Sequence, residues 1–232
     1  MNEAQVIALL EPEGDERGVA NWNKRFPESE LRCLGVGLSK LRKLAKKIGR
    51  DAPLAATLWK SQVYEARVMA LLIDDPKTLT LEQAERQVEQ LGEGQLAHVF
   101  ASCDATLAKS PLAEELAGRW CGSEQAIRRA CGHTLVYELS KSKKKSAPSE
   151  EWFAARIAHI DATWRDEGTD ARMAMATALM GMGKRSAALW PDALRVAHDM
   201  GPIDFDPTGS CDPMDVTKHI DHPRVREKLG IR

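Results

Sequence analysis

The residues of this 232-residue chain whose types and spacing suit chemistry are tryptophans and arginines eight positions apart. Trp59 precedes Arg67, Trp120 precedes Arg128, and Trp164 precedes Arg172 by that interval. Each pair straddles a turn (Lys60-Ser61-Gln62, Gly122-Ser123, Gly168-Thr169-Asp170), so a Trp closes one helix and an Arg stands early in the next. The plainer roles are packing between helical layers for the tryptophans and a salt bridge to a neighbouring helix for the arginines. Arg172 stands apart, because it falls in the first turn of its helix, where the macrodipole disfavours a cation. An anion bound there resolves the conflict, since a helix N-terminus beside a guanidinium is a good phosphate site. Lys184-Arg185, after the flexible Gly181-Met-Gly183, either tracks a phosphate or ends a helix in solvent. Cys211, His219 and His222 share a spacing that a metal tolerates, but no fourth ligand is evident and the segment reads as a plain loop. Neither a phosphate loop nor a nucleophile triad is present.

Helices must position these residues. Residues 37 to 73 hold the clearest pattern: Leu38, Leu41, Leu44, Ala45 and Ile48 fill one arc of a helix of roughly 120°. Lys40, Arg42, Lys43, Lys46, Lys47 and Arg50 fill the rest, so the helix buries one face and leaves positive charge on the other. Gly49 stops it, Asp51 caps the next helix, and Pro53 is tolerated in that first turn. A second helix runs to Trp59 and a third passes through Val68, Leu71 and Leu72. Further helices are predicted over Glu3–Leu10, from Thr80 to Leu91, from Leu96 to Leu107, from Ser110 to Trp120, and over Glu124–Leu139, capped by Ser123. Three more follow: Glu150–Trp164 capped by Ser149, Ala171–Gly183 capped by Asp170, and one from Ser186 to Met200. The recurring Trp–Arg unit, at irregular separations, marks a solenoid of HEAT-like repeats.

The formal net charge of −1 hides segregation. From Lys24 to Arg50 nine basic residues stand against two acidic, from Asp74 to Glu115 nine acidic against three basic, and from Arg119 to Lys145 seven basic against two acidic. Such a pattern gives one face a positive potential while the whole chain stays near neutral. No window approaches 18 apolar residues, which argues against a membrane span. The acidic N-terminus lacks the basic region of a signal peptide. Five cysteines without a CxxC pair fit reduced thiols in a cytoplasm.

Taken together, GLSKLRKLAKKI, LWKSQVYEARVMALLI, and Trp120 followed by Ile127-Arg128-Arg129-Ala130 resemble the AlkD-like DNA alkylation repair proteins. The resemblance spans roughly residues 14 to 200 and implies an all-helical HEAT-like solenoid whose concave face holds duplex DNA. Members that act as glycosylases remove positively charged alkylated purines. They use a Trp-Asp-x-x-Asp type motif, an arginine of a Trp-x-Arg-Arg motif, and a tryptophan in a later helix. Here Ser102-Cys103-Asp104-Ala105-Thr106-Leu107 matches the first motif, with Cys103 in place of the aromatic, Asp104 as the first acid and Leu107 in place of the catalytic one. Arg129 matches the functional arginine, and Thr177 replaces the later tryptophan. A carboxylate stabilises the oxocarbenium-like state of glycosidic cleavage, and aromatic faces hold the cationic base. Leu107, Cys103 and Thr177 supply neither.

The expectation is therefore an all-α, HEAT-like helical-repeat solenoid over residues 1–200 and a loop-rich tail with short helices over 201–232. Its function would be binding duplex DNA, damaged or structured forms included, as a monomer without cofactor, metal or membrane. Lys40, Lys43, Lys47, Arg67, Arg128, Arg129, Arg172, Lys184 and Arg185 are the candidate DNA contacts. The alternatives are an alkylpurine DNA glycosylase with a rearranged site using Asp104, and a scaffold for an acidic protein partner.

Overall fold

The computed structural model describes residues 1–102, 106–205 and 211–231. Helices account for its regular structure. Outside them the described residues hold only two isolated backbone bridges, Arg32 with Val63 and Ile203 with Met214. The chain divides into two compact units, residues 1–112 and 113–232.

The first unit contains α1 (Glu3–Leu10), α2 (Glu16–Arg25), α3 (Leu38–Ile48), α4 (Ala52–Leu58), α5 (Tyr64–Ile73), α6 (Leu81–Val88) and α7 (Leu96–Ala101). Gly49 ends α3 at φ +81°, a conformation that glycine adopts without strain. The Asp51 carboxylate accepts from the Leu54 N–H at 3.0 Å and caps α4. α5 is the centre of this unit. Every one of its residues except Arg67 is buried, and α1, α3, α4 and α7 pack around it. A helix that is apolar on all sides belongs in a core. The helix predicted to resume from Leu96 as far as Leu107 ends instead at Ala101. Beyond it the Thr106 hydroxyl donates to the Asp74 carbonyl at 2.8 Å, which turns the chain back onto the end of α5.

The second unit contains α8 (Ala113–Trp120), α9 (Ala126–Ser140), α10 (Glu150–Thr163), α11 (Thr169–Gly183), α12 (Trp190–Met200), α13 (Thr217–Ile220) and α14 (Pro223–Leu229). α9 and α11 pack along one another, with α8 against α9 and α12 against α11. At Gly132 an added Cβ would lie 2.7 Å from the Cys121 amide nitrogen, so only glycine lets α8 and α9 approach this closely. Ser149 caps α10 as the sequence indicates. Asp170 lies inside the first turn of α11, whose cap position is taken by Gly168. The short helices expected beyond residue 200 are present as α13 and α14 and belong to this unit, where the Trp190 indole N–H donates to the Ile220 carbonyl at 3.2 Å.

One polar group holds the first unit together. Glu65, on α5, has no solvent exposure, and its carboxylate accepts from the Leu34 N–H at 2.9 Å and the Val36 N–H at 3.1 Å. It thereby fixes the extended segment that enters α3. Glu65→Ala strands both amides in the core, and should lower unfolding free energy by about 2–4 kcal/mol in urea denaturation. Lys43→Ala, at an exposed position, should stay within about 0.5 kcal/mol.

Candidate nucleic-acid interface

Arginines that follow Trp59 and Trp120 have a shared structural task, and it shifts one of the sequence assignments. The Arg67 Nε donates to the Ser61 carbonyl at 2.9 Å. Arg129 donates from Nη1 to the Ser123 carbonyl at 2.8 Å and the Glu124 carbonyl at 2.7 Å. Both arginines reach the carbonyl six residues back and close the turn before their own helix. The counterpart of Arg67 is thus Arg129, nine residues after Trp120, and the interval of eight selects its neighbour Arg128. Arg128 donates to the Gln125 side chain at 2.7 Å.

Arg129 is also held in a two-point pair with Glu167, at 2.5 Å from Nε and 2.9 Å from Nη2. That carboxylate raises the Arg129 pKa further above its ordinary value and consumes the planar edge that a phosphate would need. Arg172 is the fourth residue of α11. Its guanidinium lies 5.8 Å from the Trp164 ring centroid, and its Nε is buried without a hydrogen bond. Arg165 faces the same ring at 4.5 Å. Lys40 is committed to Glu13, with Nζ 3.0 Å from the carbonyl and 3.1 Å from the carboxylate. Lys43 and Lys47 are exposed on α3.

Two concavities gather cations. In the first unit a cleft of about 230 Å³ is lined by Arg42, Lys46, Arg50 and Lys109, with Gly49 and Leu72 between them and no carboxylate in its lining among the described residues. Arg50 is immobilised there, because Nη1 donates to the carbonyls of Leu72 at 2.9 Å and Asp74 at 2.8 Å and to the Thr106 hydroxyl at 3.2 Å. In the second unit a cleft of about 420 Å³ at the C-terminal ends of α9 and α11 is lined by Lys141, Lys143, Lys184, Arg185 and Lys228, with Glu150 as its carboxylate. The candidates Lys184 and Arg185 meet in this cleft. The other candidates are absent from the linings of both.

The described thiols in the core are poor nucleophiles: burial pushes Cys121 and Cys131 up to about 12. Burial, with the charges of His159 and Arg156 behind it, pushes His133 down to about 3 and keeps it neutral. His222 accepts from the Arg224 N–H at 3.2 Å and caps α14. Among the described residues no group of three or more His, Cys, Asp or Glu is placed to hold a metal.

A family model described as DNA alkylation repair enzyme matches residues 6–203. The chain belongs to the DNA alkylation repair family. The fold agrees: a solved structure described as a new family of proteins related to the HEAT-like repeat DNA glycosylases, with affinity for branched DNA structures, superposes with a TM-score of 0.80. The two are 22% identical, and the match covers 100% of this chain and 97% of that one. The helices are therefore those of a HEAT-like repeat fold. No curated protein sequence is similar enough to count as a match.

Two of the positions that the sequence suggests depart from the glycosylase pattern are engaged within the fold. Leu107 is buried in the first unit at 1% exposure. The Thr177 hydroxyl donates to the Met173 carbonyl of its own helix at 2.8 Å. Cys103 and Asp104 lie outside the described residues. Sequence reasoning placed Arg42, Lys46 and Arg50 on the charged face but left them out of the candidate contacts, although Arg42 and Lys46 are four apart on one edge of α3 and Arg50 follows just beyond its end at Gly49. Nothing in the sequence pointed to Lys109 or Lys228, which are brought in by folding.

His133 sets a pH dependence. Its folded pKa lies below the unfolded value of about 6.5, so stability is complete above that pH and falls as protons bind the unfolded chain. The loss is about 1.4 kcal/mol per pH unit down to about pH 3. Urea unfolding at pH 7 and pH 5 should therefore show a drop for the wild type about 2 kcal/mol larger than for His133→Gln. Equal drops would remove this assignment.

Proposed function

We propose that this protein binds duplex DNA, branched or otherwise structured forms included, through its phosphates. We further propose that it does not cleave the glycosidic bond by the route of the family's glycosylases. The observation that carries the reading is the cleft in which Lys46, Arg50 and Lys109 share one space with Arg42, and whose lining holds no carboxylate among the described residues. Like charges at a spacing of four on one helix edge repel one another, and a bound anion reverses the sign of that energy. Arg50 is pre-positioned by three acceptors, so little conformational entropy is lost when a phosphate arrives. Family membership and the affinity for branched DNA of the structurally similar proteins support the choice of DNA as the anion.

Departure from glycosylase chemistry is supported by the burial of Leu107 and by the tie between Thr177 and Met173. Neither residue offers a carboxylate or an aromatic face. Alkylated duplex DNA incubated with the protein should release no more methylated purine than a protein-free control. Release that is lost on Asp104→Asn would overturn this part of the reading.

Binding itself is measured by fluorescence anisotropy on a labelled duplex across a salt series. The log–log slope should be near −0.9 per neutralised phosphate. Lys46→Glu with Lys109→Glu should weaken binding at every sequence and make the slope shallower by about one to two. Absence of binding at low salt, or a flat salt dependence, would overturn the reading.

A further inference from the structure

The larger cleft differs from the first in how its charges are compensated. Lys141 is paired with Glu138 at 2.5 Å and lies over the Tyr137 ring. Arg185 stands 3.5 Å from Glu150, donates to the Ser140 and Ser142 carbonyls at 3.0 and 2.7 Å, and stacks on Phe153. Lys228 donates to the Lys184 carbonyl at 3.2 Å and has no carboxylate partner among the described residues. Lys143 and Lys184 have no acceptor among them either. Three ammonium groups without a carboxylate partner among the described residues, from the segment after α9, the end of α11 and α14, thus line one space of about 420 Å³.

A mid-strand phosphodiester brings a single negative charge and two free oxygens, which is less than this arrangement offers. A phosphate monoester brings about −1.5 to −2 near pH 7 and three acceptor oxygens. Three ammonium groups from separate elements, each with donors to spare, match three oxygens. The volume also exceeds what one phosphate fills and leaves room for the group that carries it.

We propose that this cleft binds a phosphate monoester, and that the monoester is the phosphorylated end of a DNA strand. The second half rests on the DNA-binding reading; the first rests only on the cleft. The site requires α14, so the segment beyond residue 200 contributes to ligand binding.

The test compares a blunt duplex carrying 5′-phosphates with the same duplex ending in hydroxyls, each competing for the protein against a labelled hydroxyl-ended duplex. Terminal phosphates should tighten binding by about tenfold, the equivalent of about 1.4 kcal/mol. Lys143→Gln with Lys228→Gln should reduce that preference to less than about twofold, with hydroxyl-ended affinity held within about twofold. Equal affinity of the wild type for both ends, or a preference that survives in the double variant, overturns the strand-end proposal. Should neither duplex bind, the DNA reading fails, and inorganic phosphate decides the cleft alone. A melting temperature raised by phosphate over chloride at equal ionic strength, and not raised in the double variant, supports a monoester site. No rise in the wild type overturns it.

Discussion

A chain of short helices joined by turns ends a helix many times along its length, and each end leaves backbone carbonyls without intrahelical partners. This protein meets that demand with cationic side chains. Arg67 and Arg129 reach back six residues to Ser61 and Ser123. Arg50 takes the carbonyls of Leu72 and Asp74 at the end of α5, Arg185 those of Ser140 and Ser142 beyond α9, and Lys228 that of Lys184 beyond α11. Basic groups near helix C-termini are also favoured by the macrodipole.

This solution explains where the anion-binding clefts are. A guanidinium that uses one nitrogen to hold a carbonyl keeps its other edges, and its position is fixed before any ligand arrives. Arg50 is such a group, and Lys46 and Lys109, without a carboxylate partner among the described residues, line the same cleft. The same logic places Arg185 and Lys228 beside Lys143 and Lys184. Structural cations at helix ends thus become the foundation of a binding surface. Arg129 shows the opposite outcome, because Glu167 occupies the edge that would otherwise face a ligand.

The buried polar groups set the limits of the design. Glu65 satisfies the amides of Leu34 and Val36 and joins α5 to the segment leading into α3. His133 stays neutral in the core of the second unit, where its Nε2 has no hydrogen-bond partner among the described residues and its Nδ1 lies 3.6 Å from the Cys121 sulfur. Glu65 is tolerated because it is hydrogen-bonded, and His133 because it carries no charge.

Periodicity and caps by themselves determined the helical class, the bounds of α1 and α3 and the cap at Asp51. These depend on neighbours in the chain, so local sequence specifies them. The stretch after Leu96 looked helical on the same grounds, but Thr106 bonds to the end of α5, a contact between residues about thirty apart that no local pattern contains. Charge runs showed that cations were plentiful and did not show which were occupied. Lys40, a candidate contact in the sequence, is held by Glu13, while Lys109, one of three basic residues in an acidic stretch, lines a cleft. Whether a cation is available depends on which carbonyls and carboxylates the fold brings within about 3 Å. That distance is set by packing between elements, and so only the tertiary structure decided it.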